Sequence, residues 1–261
     1  MDTISKMLEQ CRILDETGNT VQAIAILTDA IATKFHSKLV YQRGLRFEAL
    51  GDYERALRDY ESAIKGGDCP AATLARGRMY SLHPSTFGLA EDDFFSIINR
   101  LPDNLDAKRH LSYLYTKWDQ HGKSTAYAKE VAEASPNDPA AHLWLGECYF
   151  REKEYKLASN ELLLSVEGDS SNSYAWFTLA RALRSLGNAE QAKNAYERAA
   201  ALDPSPTNLI GLASFLIELK EPEHALSTLT ALKEQDCILT EAEALLMNGY
   251  REVAEKLLKS K

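Results

Sequence analysis

The sequence predicts an all-α chain built as a solenoid of helix-turn-helix repeats, and three observations carry that expectation. The first is composition: 34 Ala and 36 Leu stand against only 5 Val in 261 residues. Ala and Leu are strong helix formers, whereas β-branched residues favour strands. The second is an internal period, seen directly in the 34 residues from Pro102 to Pro136. The third is that each period holds two segments of helical spacing joined by a breaker.

Repeat starts fall near Ile4, Ser37, Pro70, Leu105, Pro139, Ser173, Pro206 and Gln235, spaced by 33 to 35 residues until a shorter last step. About seven to eight repeats would thus fill residues 1–261 as one array. In the first, Gly18 is followed by Ala23, Leu27 and Ala30; in the second, Gly51 is followed by Ala56, Tyr60 and Ala63. The third carries an insertion around Ser81 to Gly88, after which Ala90, Phe94 and Pro102 resume the pattern. The fourth has Leu111, Ser112 and Tyr115, then Ser124 and Ala128; the fifth has Leu145, Gly146, Tyr149, Ala158 and Leu162. In the sixth, Trp176, Leu179, Ala180 and Leu183 make an i, i+3, i+4, i+7 stripe that one helix face buries. Gly187-Asn188 stops that helix, since both residues tolerate the left-handed conformation. Ala192, Tyr196 and Ala199 then form the second stripe, ended by Asp203-Pro204. The seventh uses Leu212, Ala213, Leu216, Ala225 and Leu229. Residues 249–261 read as a closing cap, with Val253, Ala254, Leu257 and Leu258 apolar and the remaining positions mostly charged.

This pattern closely resembles the tetratricopeptide repeat family, W-x2-L-G-x2-Y, then A-x3-F, then P. The sixth repeat matches it as Trp176, Leu179, Ala180, Leu183, Ala192, Tyr196 and Pro204; in the fifth, Trp144 is displaced two places. The resemblance covers essentially the whole chain and implies a right-handed α-solenoid whose first helices line a concave, peptide-binding groove. Carried residue by residue, the groove positions are Arg109, His110, Tyr113 and Lys117 in the fourth repeat. The fifth supplies Leu143, Trp144, Glu147, Phe150 and Arg151; the sixth supplies Tyr174, Phe177, Thr178, Arg181 and Arg184. Aromatic residues and Arg are enriched at binding hot spots, the first for rigid area and the second for its fork against carboxylates. A protein or peptide ligand with acidic and apolar anchors is therefore expected. The plainer reading packs Trp144, Phe150 and Phe177 between helices. Family members that clamp the acidic C-terminus of heat-shock chaperones use Lys, Asn and Arg on successive repeats. Here those places hold Leu8 and Arg12, Tyr41 and Leu45, or Arg109 and Tyr113, so that ligand is not expected.

Net charge is −8, with a pI of about 5.4. Binding to nucleic acid or an anionic membrane draws on basic surface, so neither partner is expected. No run approaches the ~18 apolar residues of a membrane span. Residues 1–16 carry six charged side chains and no apolar core of a signal peptide. Cys11, Cys69, Cys148 and Cys237 are widely spaced and read as small core residues, which places the chain in a reducing cytosol.

No catalytic residue, metal ligand or cofactor is expected. The six His form no HxxxH or HExxH pair, and the four Cys fall in different repeats. No GxxxxGK[ST] or GxGxxG phosphate loop occurs. His110 and Glu147 could face one another as a His-carboxylate pair, for which a structural hydrogen bond is the ordinary role. Glu91-Asp92-Asp93 is expected to begin a helix, where the dipole favours acid. Phe87, in the insertion, is either a partner anchor or folded back onto the helices. The expected function is a non-catalytic interaction adaptor. Two alternatives stay open: a self-associating scaffold, motivated by the Ile4, Met7, Leu8, Cys11 stripe of the first helix, and an accessory subunit of an enzyme complex.

Overall fold

The computed structural model describes residues 3–67, 69–234 and 241–259. Among the described residues there are fifteen α-helices, one 3-10 turn and no strand. The helices alternate in pairs along the chain: α1 (Thr3–Glu16) and α2 (Thr20–Thr33), α3 (Ser37–Ala49) and α4 (Tyr53–Lys65), α5 (Pro70–Tyr80) and α6 (Phe87–Arg100). Next come α7 (Leu105–Lys117) and α8 (His121–Ala134), α9 (Pro139–Arg151) and α10 (Tyr155–Gly168), α11 (Ser173–Ser185) and α12 (Ala189–Leu202), α13 (Pro206–Glu218) and α14 (Pro222–Glu234), with α15 (Glu241–Lys259) last. The repeat start expected near Gln235 lies outside the described residues, as does Cys237. The chain divides into two compact units, residues 1–127 and 128–261. No helix among the described residues is long and apolar enough to cross a membrane.

Each pair is closed by the same devices. Pro70, Pro139 and Pro206 occupy the first helical turn, where a missing N–H costs nothing. Asn104 and Asn172 accept the backbone N–H groups of Ala107 and Ala175 at 2.8 and 3.0 Å, capping α7 and α11. The turn between paired helices contains one left-handed residue: Gly18, Gly51 and Gly187 at φ near +77°, and Asp119, Lys153 and Lys220 at +59°, +64° and +60°. The third repeat escapes the rule because its insertion, with a 3-10 turn at Pro84–Thr86, replaces that residue.

Small residues set how closely paired helices approach. A Cβ on Gly44 would lie 2.7 Å from the Tyr60 ring, and one on Gly146 would lie 2.6 Å from Leu162. Tyr60, Phe94, Leu162 and Tyr196, two turns into the second helices, fill the space that the small residues leave and are at most 1% exposed. Burying a side chain of this size contributes about 1.5–3 kcal/mol. In the fourth repeat a polar contact replaces it: the buried Ser112 hydroxyl donates to the Ser124 carbonyl at 2.8 Å.

The structure corrects some expectations and decides between others. The run Glu91-Asp92-Asp93 does not begin a helix, because α6 starts at Phe87. Asp93 is instead a buried partner of Arg76, bidentate at 2.7 and 2.9 Å, and Glu91 accepts the Tyr115 hydroxyl. Phe87 is folded back, 4% exposed and edge-on to Trp118 at 5.8 Å, so it is no anchor at a loop tip. Val253 is exposed, leaving Ala254 as the buried member of the closing stripe. In α1, Cys11 is buried and Ile4, Met7 and Leu8 pack against the Ala23, Leu27 and Leu39 cluster. Ile4, Met7 and Leu8 thus contribute to the core of the first repeat while staying partly exposed.

Candidate binding site

In the unit of residues 128–261, the helical period brings part of the expected set together. Glu147, Phe150 and Arg151 share one face of α9 by their i, i+3, i+4 spacing, and Tyr174, Thr178 and Arg181 share one face of α11. These six, with Lys153 and Tyr155 from the turn into α10, wall a cavity of about 310 Å³. The Arg181 guanidinium lies 4.5 Å over the Phe150 ring, and Phe150 meets Tyr155 edge-on at 5.4 Å. The Tyr174 hydroxyl donates to the Glu147 carboxylate, while the Thr178 hydroxyl donates to the Tyr174 carbonyl at 2.9 Å. Burial, then that hydrogen bond and the negative charge of Glu147, push the Tyr174 phenol above its ordinary pKa. Its acidic wall is therefore committed to an internal partner.

The cationic wall is not. Among the described residues, neither Arg151 nor Arg181 pairs its side chain with a carboxylate or a hydrogen-bond acceptor. Several other arginines among the described residues are neutralised. In the unit of residues 1–127, a cavity of about 620 Å³ contains Arg12, which pairs with Glu9 and Glu16, and Arg46, which pairs with Asp15 at 2.7 Å. Arg184, expected with the groove set, is engaged by Glu218 and lies 5.7 Å from the Phe215 ring centroid.

The remaining expected residues lie elsewhere. Phe177 is half-buried, edge-on to Tyr196 at 5.6 Å, and fills the space over Gly211. Trp144 is half-buried against the Ala128, Val131 and Leu145 cluster. On α7, Tyr113 is 36% exposed and Arg109 is half-buried. His110 stacks on Phe94 at 5.5 Å with Tyr113 beside it at 6.4 Å. Burial, with the positive charge of Arg78 next, holds the His110 pKa below its ordinary value. Reading the sequence missed Arg78 and Glu48, paired at 2.6 Å, with the Tyr60 hydroxyl also donating to Glu48 at 2.5 Å. It also missed Lys153 and Tyr155, which lie outside the first helices. No group of three or more His, Cys, Asp or Glu among the described residues is placed to hold a metal ion.

Comparison with known proteins agrees with this architecture. A family model for the tetratricopeptide repeat matches residues 41–83 and 177–236, and one for the anaphase-promoting complex, cyclosome, subunit 3 matches residues 118–199. The chain is 26% identical over 204 residues to DnaJ homolog subfamily C member 3 of Gallus gallus, covering 72% of this chain and 40% of that protein. It therefore spans less than half of that relative. The C-terminal part of a tetratricopeptide repeat-containing protein from Cytophaga hutchinsonii superposes with a TM-score of 0.71 at 17% identity, covering 91% of this chain and 98% of that one. YrrB, described as a tetratricopeptide protein with an unusual peptide-binding site, gives 0.58 at 20% identity, covering 70% and 94%. Helix pairs repeating every 33 to 35 residues, with the small and aromatic residues at the family's places, make this chain a tetratricopeptide-repeat protein.

Proposed function

We propose that this protein is a non-catalytic adaptor that holds a segment of a partner protein against the first helices of its repeats, with the α9–α11 cavity as an anchoring point. The observation that carries the reading is the pair Arg151 and Arg181, two guanidinium groups without counter-ions on the walls of one aromatic cavity. A guanidinium grips a carboxylate or phosphate with parallel hydrogen bonds, and the faces of Phe150, Tyr155 and Tyr174 offer rigid apolar area beside it. The partner segment is thus acidic with an apolar or aromatic neighbour. The fold supports this use, since repeat solenoids present extended binding surfaces. The peptide site of YrrB is a precedent within the same fold. Three described cysteines are free thiols, which supports work in the reducing cytosol.

Affinity capture with chemical cross-linking tests the reading, comparing wild type with Arg151→Ala/Arg181→Ala. The expected result is a partner cross-linked to α9–α11 in wild type and lost in the variant at unchanged helical content. A partner retained by the folded variant overturns the assignment of the cavity.

A further inference from the structure

The cavity between α9 and α11 has a charge balance that distinguishes among acidic ligands. Arg151, Lys153 and Arg181 contribute three positive charges to its walls, and Glu147 contributes the only negative one. Glu152 and Glu154, in the same turn, are not among the walls. A single carboxylate would leave one positive charge uncompensated. A phosphate monoester carries about −1.5 to −2 at pH 7 and offers three acceptor oxygens, which matches the excess of two.

The donors are suited to it. Each guanidinium presents a planar fork of N–H groups, which fits a tetrahedral oxyanion along its edge. Arg181 is already oriented by its stack on Phe150, so less side-chain freedom is lost on binding. The Tyr155 hydroxyl has no hydrogen-bond partner among the described residues and adds a further donor on the same walls. Tyr155 is also the first residue of α10, whose N-cap Glu154 makes no side-chain cap bond. The positive end of that helix faces no capping carboxylate. The volume of about 310 Å³ corresponds to roughly ten waters, enough for one phosphorylated side chain but not for a folded element.

We propose that the α9–α11 cavity receives a phosphorylated side chain of the partner segment, held by Arg151, Lys153 and Arg181. This rests on the adaptor reading above and narrows it: recruitment is switched on by phosphorylation of the partner.

The test uses the whole chain with three small probes followed by NMR titration: phenyl phosphate, phenyl sulfate and benzoate. Phenyl sulfate has the tetrahedral shape with one charge, and benzoate has one charge on a planar group. At pH 7.5 phenyl phosphate should bind about tenfold or more tightly than either, since charge-assisted hydrogen bonds are the strong ones. The preference over phenyl sulfate should collapse at pH 5, because the second phosphate proton is regained below about pH 6. Arg151→Gln and Arg181→Gln should each weaken phenyl phosphate about tenfold, while Arg58→Gln, paired with Glu54 in the other unit, leaves it unchanged. Both cavity arginines are exposed, so unchanged helical circular dichroism is expected in the variants. Equal affinity for phenyl sulfate at pH 7.5, or no effect of the arginine substitutions, overturns the proposal. If phenyl phosphate fails to bind while partner capture still needs Arg151 and Arg181, the phosphate assignment falls and the adaptor reading stands. If capture is also indifferent to them, both fall.

Discussion

The guanidinium of Arg181 lies 4.5 Å over the ring of Phe150, joining the last turn of α9 to α11 through a cation and an aromatic face. Such a contact contributes about 0.5–1 kcal/mol at an exposed site. The two residues should therefore separate in their effects. Arg181→Ala is expected to lower stability by under about 1 kcal/mol, yet to abolish partner capture. Phe150 is half-buried against the main apolar cluster of its unit, so Phe150→Ala should cost about 2–3 kcal/mol, below the range for a fully buried ring. Urea unfolding of the two variants checks this. Equal losses would show that Arg181 is a packing residue.

The two bidentate pairs Arg43–Asp59 and Arg76–Asp93 each tie the first helix of a repeat to the second. Asp59 and Asp93 are nearly inaccessible, so deleting either carboxylate strands a largely desolvated guanidinium. Asp59→Ala should cost about 3 kcal/mol, whereas Arg43→Met/Asp59→Leu should recover most of that loss. A double-mutant cycle by urea unfolding measures the coupling. A double variant no more stable than Asp59→Ala would mean that the cost is lost packing rather than an unpaired charge.

How much of this was legible follows from where each residue lies in the repeat. Helix order and breakers came from Gly18, Gly51 and Gly187 and from stripes such as Trp176, Leu179, Ala180 and Leu183, because a period of 3.6 fixes which side chains share a face. The resemblance to the family, not the period, singled out Glu147, Phe150 and Arg151 and, separately, Tyr174, Thr178 and Arg181, which line one cavity. It could not say that Phe177 turns onto Tyr196 or that Arg184 is taken by Glu218, since both depend on the neighbouring repeat. Lys153 and Tyr155 escaped because the family's groove positions are confined to first helices. A signal was available for the acids that pair across each helix pair. Asp59, Asp93 and Glu161 each stand three residues after the small residues Ala56, Ala90 and Ala158, and each pairs with the preceding helix, through Arg43, Arg76 and His142.

Lys220 occupies the left-handed turn position at φ +60°, where Gly18, Gly51 and Gly187 stand in other repeats. A side chain there is strained by about 1–2 kcal/mol, partly offset in glycine by the greater freedom of the unfolded chain. Lys220→Gly should stabilise by about 0.5–1 kcal/mol and raise the Tm by about 2–4 °C per kcal/mol. Gly187→Ala meets no atom within 4 Å, so its net cost of about 1 kcal/mol, strain less the same unfolded-chain offset, comes from the backbone alone. Thermal unfolding followed by circular dichroism checks both. A lower Tm for Lys220→Gly would mean that the lysine makes a contact that outweighs its backbone strain.

His110 gives the acid side of the stability profile. Its ring is stacked on Phe94 with Tyr113 alongside; Arg78 and Arg109 disfavour its charged form, and Asp106 opposes them. Burial is the larger cause, and the folded pKa lies below the ordinary 6.5. A depressed folded pKa means that the unfolded chain binds the proton more readily. The contribution is therefore fully present above pH 6.5 and is lost as the pH falls through the folded value. Wild type should lose more stability than His110→Gln between pH 7.5 and pH 5, measured by urea unfolding at each pH. In ring-proton NMR titration the His110 midpoint should fall below 6.5. A midpoint at or above that value would show that Asp106 outweighs burial and the two arginines, and the stability loss should then vanish.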